Sequence, residues 1–138
     1  MTKPASPEPL TCRIYYEDTD SGGIVYYANY LKFLERGRTE FLRALGFEQR
    51  LLAEETGLAF AVRSLSAEYL KPARLDDLIE VTTTIRELGR AQVTFAQSIR
   101  RADATLLTAT VRVACLDLAR GKPAAMPQTL HAKLQSLV

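Results

Sequence analysis

Tyr15-Tyr16-Glu17-Asp18-Thr19-Asp20-Ser21-Gly22-Gly23-Ile24-Val25-Tyr26-Tyr27-Ala28-Asn29-Tyr30 is the stretch on which the reading of this chain turns. The apolar and aromatic run Ile14-Tyr15-Tyr16 leads into an acidic turn, Asp18-Thr19-Asp20. The pair Gly22-Gly23 follows, and a helical pattern opens at about Ala28. Strand, acidic glycine loop and helix start, in that order, set a carboxylate beside backbone N–H groups that have no intrahelical partner. Such a carboxylate is either a helix cap or part of an acyl-transfer site in which the N–H groups act as oxyanion donors.

Downstream, Tyr30, Phe33, Leu34, Gly37, Phe41, Ala44 and Leu45 recur at helical spacing between Ala28 and Leu45. Lys32, Glu35, Arg36, Arg38, Thr39, Glu40 and Arg43 fill most of the other positions. This predicts an amphipathic helix of about five turns with one apolar face, stopped by Gly46. Gly37 falls on the apolar face, where it lowers helix propensity by roughly 1 kcal/mol relative to Ala; a close approach to a sheet would explain it. Glu48 to Thr56 reads as a short second helix closed by Gly57.

The period then changes from helical to two. Alternation runs through Phe60 to Leu70, Leu78 to Leu88, Val93 to Ile99 and Leu107 to Cys115. The last three segments are joined by short turns at Gly89-Arg90 and Arg101 to Ala104, which predicts an antiparallel meander. Leu10 to Tyr16 reads as a first strand, Gln128 to Leu137 as a final helix, and Met1 to Pro9, with its three prolines, as a loose arm. One long helix with one apolar face, followed by a long-stranded sheet, packs most simply as an α+β domain with the sheet wrapped around the helix.

A length of 138 residues suits one domain with its own core. The net charge of +2 is small and its basic residues are scattered, which argues against a nucleic-acid partner. The longest unbroken apolar run, Leu58 to Val62, is far below the ~20 residues that span a bilayer, and the start of the chain has no apolar leader segment. The expectation is a cytoplasmic protein without a transmembrane segment. Cys12 and Cys115 lie in strand-like runs and read as buried reduced thiols; no metal site is expected.

The single histidine, His131, lies near the C-terminus, away from any recognisable site, which argues against Ser-His-Asp and Cys-His catalysis and against hydratase chemistry. Phosphate-binding glycine motifs are absent. The carboxylates Glu17, Asp18 and Asp20 before the helix, and Asp76-Asp77 before a strand, remain. Aspartates in such places are more often caps or turn formers than catalysts.

The run Tyr16 to Leu31 resembles the signature of the hotdog-fold acyl-CoA thioesterases, in the 4-hydroxybenzoyl-CoA thioesterase-like group that includes the bacterial Tol-Pal-associated thioesterase. The resemblance continues through Glu35-Arg36-Gly37-Arg38-Thr39-Glu40 and Glu68 to Asp77, and covers about residues 10 to 120. It implies a single hotdog domain over residues 10–138, a long central helix wrapped by a five- or six-stranded antiparallel sheet, behind an arm of residues 1–9. It implies hydrolysis of acyl-CoA thioesters without a cofactor, with Asp20 as the catalytic carboxylate and the Tyr27 backbone N–H as oxyanion donor. Gly22, Gly23 and Ile24 in the loop, and Val62 in the following strand, are the candidate substrate contacts. A homodimer or homotetramer is implied, with the site between subunits and acyl carrier protein as an alternative carrier to coenzyme A. Lys71, Arg74, Arg90, Arg100 and Arg101 are candidates to meet the coenzyme's phosphates. Members of the Tol-Pal-associated branch often carry His at the position of Tyr27, whereas aromatic acyl-CoA members tend to carry an aromatic residue. The competing reading is a non-catalytic acyl-binding or regulatory module of the same fold.

Overall fold

Alternation buries Ile79, Val81, Thr83 and Ile85 on one face of a strand and turns Glu80, Thr84 and Arg86 to solvent. Three such strands fold back on one another as the meander predicted: β3 (Leu78–Leu88), β4 (Gln92–Arg101) and β5 (Ala104–Asp117). Before them come β1 (Leu10–Arg13), α1 (Asn29–Ala44), α2 (Gln49–Thr56) and β2 (Leu58–Tyr69); after them come β6 (Lys122–Pro123) and α3 (Gln128–Gln135). The computed structural model describes residues 6–138. Of the expected arm, residues 1–5 lie outside the described residues, and residues 6–9 carry no helix or strand.

Every strand pairing is antiparallel, in the order β1-β3-β4-β5-β2, with β6 added to the end of β5. The register lines up apolar rows across the sheet, such as Val81, Ile99 and Leu107, or Ile85, Phe95 and Val111. These rows form the floor on which α1 lies. Gly46 stops α1 at φ +94° and Gly57 closes α2 at φ +71°, both in the left-handed region that favours glycine.

α1 buries Tyr30, Phe33, Leu34, Gly37, Arg38, Phe41 and Leu42. At Gly37 the helix lies tight against the sheet. A Cβ there would lie 2.7 Å from Val81 Cγ1 and 3.2 Å from both Gln97 Nε2 and Thr83 Oγ1. One turn away, Phe41 meets Phe95 edge-on at 5.9 Å.

Arg38 departs from the sequence reading, which set it among the solvent-facing positions. It is buried, and its Nη1 donates to Gln97 Oε1 at 3.0 Å. Gln97 Nε2 donates in turn to Leu34 O and to Thr83 Oγ1, both at 2.9 Å. Burial pushes the Arg38 pKa down, partly opposed by the charge of Glu35.

Two further expectations change. The first strand ends at Arg13 rather than Tyr16, because the Tyr15 N–H donates to Asp18 Oδ2 (2.9 Å) and residues Tyr16–Asp18 coil into a single 3-10 turn. Tyr15 and Tyr16 are therefore exposed. Cys115 is fully buried as expected, but Cys12 is only half-buried because it lies on the edge strand β1; both thiols are free.

β2 is the other edge of the sheet. It is 12 residues long, pairs among the described residues only with β5, and breaks register between Val62 and Ser64. Val62, Leu65 and Tyr69 are exposed along it.

Gly37→Ala should lower stability by about 1–2 kcal/mol, since overpacking against Val81 outweighs the gain in helix propensity. The check is a denaturant melt of Gly37→Ala, Val81→Ala and the double variant, with the two changes expected to couple rather than add.

Candidate active site

The loop between β1 and α1 divides its carboxylates between two tasks. Asp18 is spent on structure. Its side chain holds the Tyr15 N–H, and its carbonyl accepts from Asn29 Nδ2 (2.9 Å) and from the Tyr26 N–H (3.1 Å). Those last two bonds tie the acidic turn to the start of α1. Thr19 Oγ1 closes the 3-10 turn on Tyr16 O at 2.9 Å, and Glu17 lies exposed within it.

Asp20 lies at the base of a tight hairpin. Its N–H donates to Ile24 O at 2.9 Å and its carbonyl accepts the Gly23 N–H at 3.1 Å, with Gly23 at φ +79°. Its Oδ1 accepts the Gly22 N–H at 2.8 Å, while Oδ2 makes no hydrogen bond or ion pair among the described residues. Asp20 is exposed and does not cap α1: the helix opens at Asn29 behind Ala28, with no side-chain cap. The helix-cap alternative for Asp20 is thereby removed, and a small Asx turn takes its place.

Backbone donors are available at the helix start. The N–H groups of Tyr27 and Ala28 have no acceptor among the described residues. The carbonyls of the same peptides are both held. Tyr26 O accepts the Asn29 N–H at 2.8 Å, and Tyr27 O accepts the Tyr69 hydroxyl at 3.1 Å. The hairpin docks on the segment before β3, where Val25 N–H meets Ala73 O at 2.9 Å, and the Ala73 N–H donates to the Tyr30 hydroxyl at 2.9 Å. Burial raises the Tyr30 pKa, with the Ala73 N–H working in the opposite direction.

Ile24, Tyr27, Tyr30 and Tyr69 line one open cavity of about 320 Å³, together with Lys71. Val62 lines a different one of about 110 Å³ beneath α1, with Arg38, Phe60, Phe95 and Val113. Within one chain, then, Asp20, Gly22, Gly23 and Ile24 share a single turn, Tyr27 follows at the helix start, and Val62 stands apart in a second cavity. Sequence inspection missed Tyr69 as a site residue. Its period-2 position in β2 marks only a strand residue, and its partner lies 42 residues away.

The other candidates are structural or peripheral. Asp77 Oδ2 accepts the Arg74 N–H (2.8 Å) and Arg101 Nη1 (2.6 Å), and Arg101 also donates to Pro72 O. Asp76 sits at φ +71° in the turn that precedes β3. Arg100 donates to Asp103 O, whereas the side chains of Lys71, Arg74 and Arg90 make no hydrogen bond or ion pair among the described residues. His131 lies on α3 beside Arg90 and Met126. Among the described residues no group of three or more His, Cys, Asp or Glu side chains is placed to hold a metal.

Residues 22–108 match the thioesterase superfamily. The chain belongs to that family. It is 49% identical over 125 residues to the acyl-CoA thioesterase YbgC of Haemophilus influenzae, covering 91% of this chain and 92% of that protein. It is 46% identical over 124 residues to the acyl-CoA thioester hydrolase YbgC of Escherichia coli O157:H7, covering 89% and 92%. Among solved structures it superposes on a probable thioesterase from Bartonella henselae with a TM-score of 0.81 at 40% identity, over 86% of this chain and 98% of that one. The architecture of this thioesterase is the hotdog fold, with six strands among the described residues curled about α1.

The Arg101–Asp77 pair gives a pH test of the frame that holds the hairpin. Burial alone would raise the Asp77 pKa, but the Arg74 N–H and the Arg101 guanidinium outweigh it and hold the carboxyl below its ordinary value. A depressed folded pKa contributes stability above the unfolded value of about 3.9 and loses it as pH falls through the folded value. Asp77→Asn should therefore lower stability at pH 7 by about 1 kcal/mol and flatten the acid side of the stability–pH curve below about pH 4. Thermal melts from pH 2 to pH 7 check both.

Proposed function

We propose that this chain hydrolyses acyl-CoA thioesters to free acid and coenzyme A, with Asp20 as the reacting carboxylate and the Tyr27 N–H as oxyanion donor. The observation that carries the assignment is the unspent Tyr27 N–H at the start of α1, joined through Asp18 and Asn29 to the hairpin that bears Asp20. Relatives that share 46–49% of their residues with it bear the names acyl-CoA thioesterase and thioester hydrolase.

A thioester asks little of such a site. Sulfur donates weakly into the carbonyl, and the leaving thiol has a pKa of about 8.5, so departure of the thiolate requires no strong acid. The barrier lies in forming the oxyanion, which a fixed N–H and the positive end of α1 stabilise. Asp20 either attacks the carbonyl carbon, expelling the thiolate and leaving a mixed anhydride that water opens, or removes a proton from the attacking water. Gly22 and Gly23 let backbone approach the thioester without a side chain between. Ile24 and the tyrosine-lined cavity receive the apolar part of the substrate next to the reacting carbon. Lys71 lines the same cavity and suits the phosphate-bearing end of the coenzyme.

Val62 enters through assembly. A long edge strand with exposed Val62 and Leu65 invites pairing with its own copy. The proposed unit is a homodimer joined through β2, or two such dimers as a tetramer, in which Val62 of one subunit meets the substrate held at Asp20 of the other. No described helix is long and apolar enough to cross a membrane. The proposed setting is the cytoplasm, with acyl-CoA as carrier substrate and acyl carrier protein as the alternative.

The primary test is thiol release from short-chain, long-chain and aromatic acyl-CoA and from acylated carrier protein. Saturable binding without release of thiol would instead make this a binding module. Asp20→Asn keeps an acceptor for the Gly22 N–H but is a poor nucleophile and base, so turnover should fall about 10²–10⁴-fold with the melting temperature little changed. Asp18→Asn, altered at a structural carboxylate, should lose less turnover. Near-normal rates in Asp20→Asn would remove that residue from the mechanism.

Light scattering at assay concentration should return a dimer or tetramer. A fully active monomer would leave Val62 without a role.

A further inference from the structure

The Tyr69 hydroxyl reaches out of β2 to the Tyr27 carbonyl at 3.1 Å. Its ring lies edge-on between two others, 6.3 Å from Tyr27 at 80° and 5.6 Å from Tyr30 at 70°. Tyr30 is buried and its hydroxyl is held by the Ala73 N–H. Tyr69, itself half exposed, thus packs its ring against a buried one.

What Tyr69 holds is half of a planar unit. In a trans peptide the carbonyl and the following N–H point in opposite directions within one plane, and the chain has no cis peptide among its described residues. Holding Tyr27 O therefore fixes the direction of the Ala28 N–H, which has no acceptor of its own among the described residues. The neighbouring peptide is held by a different device: Tyr26 O is bonded to the Asn29 N–H, which fixes the Tyr27 N–H through backbone alone. Two adjacent free donors are consequently oriented by two independent bonds, one from the helix and one from a side chain of the edge strand.

We propose that Tyr69 is a positioning residue, whose hydroxyl aims the Tyr27–Ala28 peptide so that the Ala28 N–H joins the Tyr27 N–H on the thioester oxygen. The role rests on the thioesterase site proposed above. It acts in the transition state, where the oxyanion shortens and strengthens its hydrogen bonds, and has little effect on substrate binding.

Tyr69→Phe keeps the ring contacts and removes only the hydroxyl. Its kcat should fall about tenfold, a fraction of the 10²–10³-fold effect of deleting an oxyanion donor outright, with KM within about twofold. Ala28 has φ −72°, a value that proline adopts, so Ala28→Pro removes the N–H without straining φ at that residue. It should lower kcat by about a hundredfold. The deciding measurement is the double variant, run with thermal melts. Both changes act on one donor, so Tyr69→Phe should add nothing further in the Ala28→Pro background.

An unchanged kcat in Tyr69→Phe overturns the proposal. So does a raised KM at constant kcat, which makes Tyr69 a wall of the cavity, and so does a full tenfold loss repeated in the Ala28→Pro background. Should Ala28→Pro fail to fold, the division between kcat and KM in Tyr69→Phe decides alone. A wild-type chain that releases no thiol overturns the thioesterase assignment and the positioning role together, whereas an active wild type with an indifferent Tyr69→Phe overturns only the latter.

Discussion

Everything in this molecule hangs on how closely α1 approaches the sheet at Gly37. With a Cβ there, Val81 Cγ1 would stand at 2.7 Å, so only glycine lets the helix settle to its observed depth. At that depth Gln97 reaches from β4 to the Leu34 carbonyl and to Thr83, and Arg38 is drawn inward onto Gln97. A buried polar group of this kind is tolerable only when bonded, and among the described residues no buried side-chain polar atom is left unpaired. The polar contacts admit few other axial placements of the helix, which a purely apolar contact would not exclude. Helix position in turn fixes where its first residues stand, and the proposed chemistry uses those residues.

At the helix start, order is achieved through carbonyls while the N–H groups are left open. Tyr26 O and Tyr27 O are both occupied, by the Asn29 N–H and the Tyr69 hydroxyl, and the N–H groups of Tyr27 and Ala28 have no acceptor among the described residues. In the proposed mechanism these donors are held in place before the substrate arrives and need no reorganisation when charge develops, which is where oxyanion sites gain most of their effect. The acidic loop follows the same economy. Asp18 builds the turn and ties it to α1, and one oxygen of Asp20 is left without a partner among the described residues. A thioester substrate suits the sparse site proposed here, because it needs an oxyanion stabilised and a carboxylate nearby rather than a histidine relay.

β2 connects two scales. Its C-terminal residue, Tyr69, touches the helix start, while Phe60 and Val62, near the other end, line the cavity under α1. Its outer edge has no partner among the described residues. A second copy paired along that edge would sit on the strand that carries Tyr69, which places assembly and donor geometry on one element.

The elements themselves were legible in the sequence because each depends on near neighbours. Periods of 3.6 and two marked α1 and β3 to β5, and Gly46 and Gly57 marked helix ends because the left-handed conformation there favours glycine. Gly37 on an apolar helix face announced a close contact, and the long acidic glycine motif announced the family. Tertiary structure alone decided the rest. Arg38 reads as a surface charge until Gln97, 59 residues on, supplies its partner. Tyr15 and Tyr16 read as strand until the Asp18 carboxylate takes the Tyr15 N–H and coils the backbone. Asp18 and Asp20 look equivalent along the chain, and only the folded loop shows that one is bonded into the turn and the other is half free. Tyr69 reads as one more strand residue, because a hydrogen bond spanning 42 residues leaves no local pattern. Short-range periodicity records which face of an element is buried; it carries no record of which distant polar atom will meet it there.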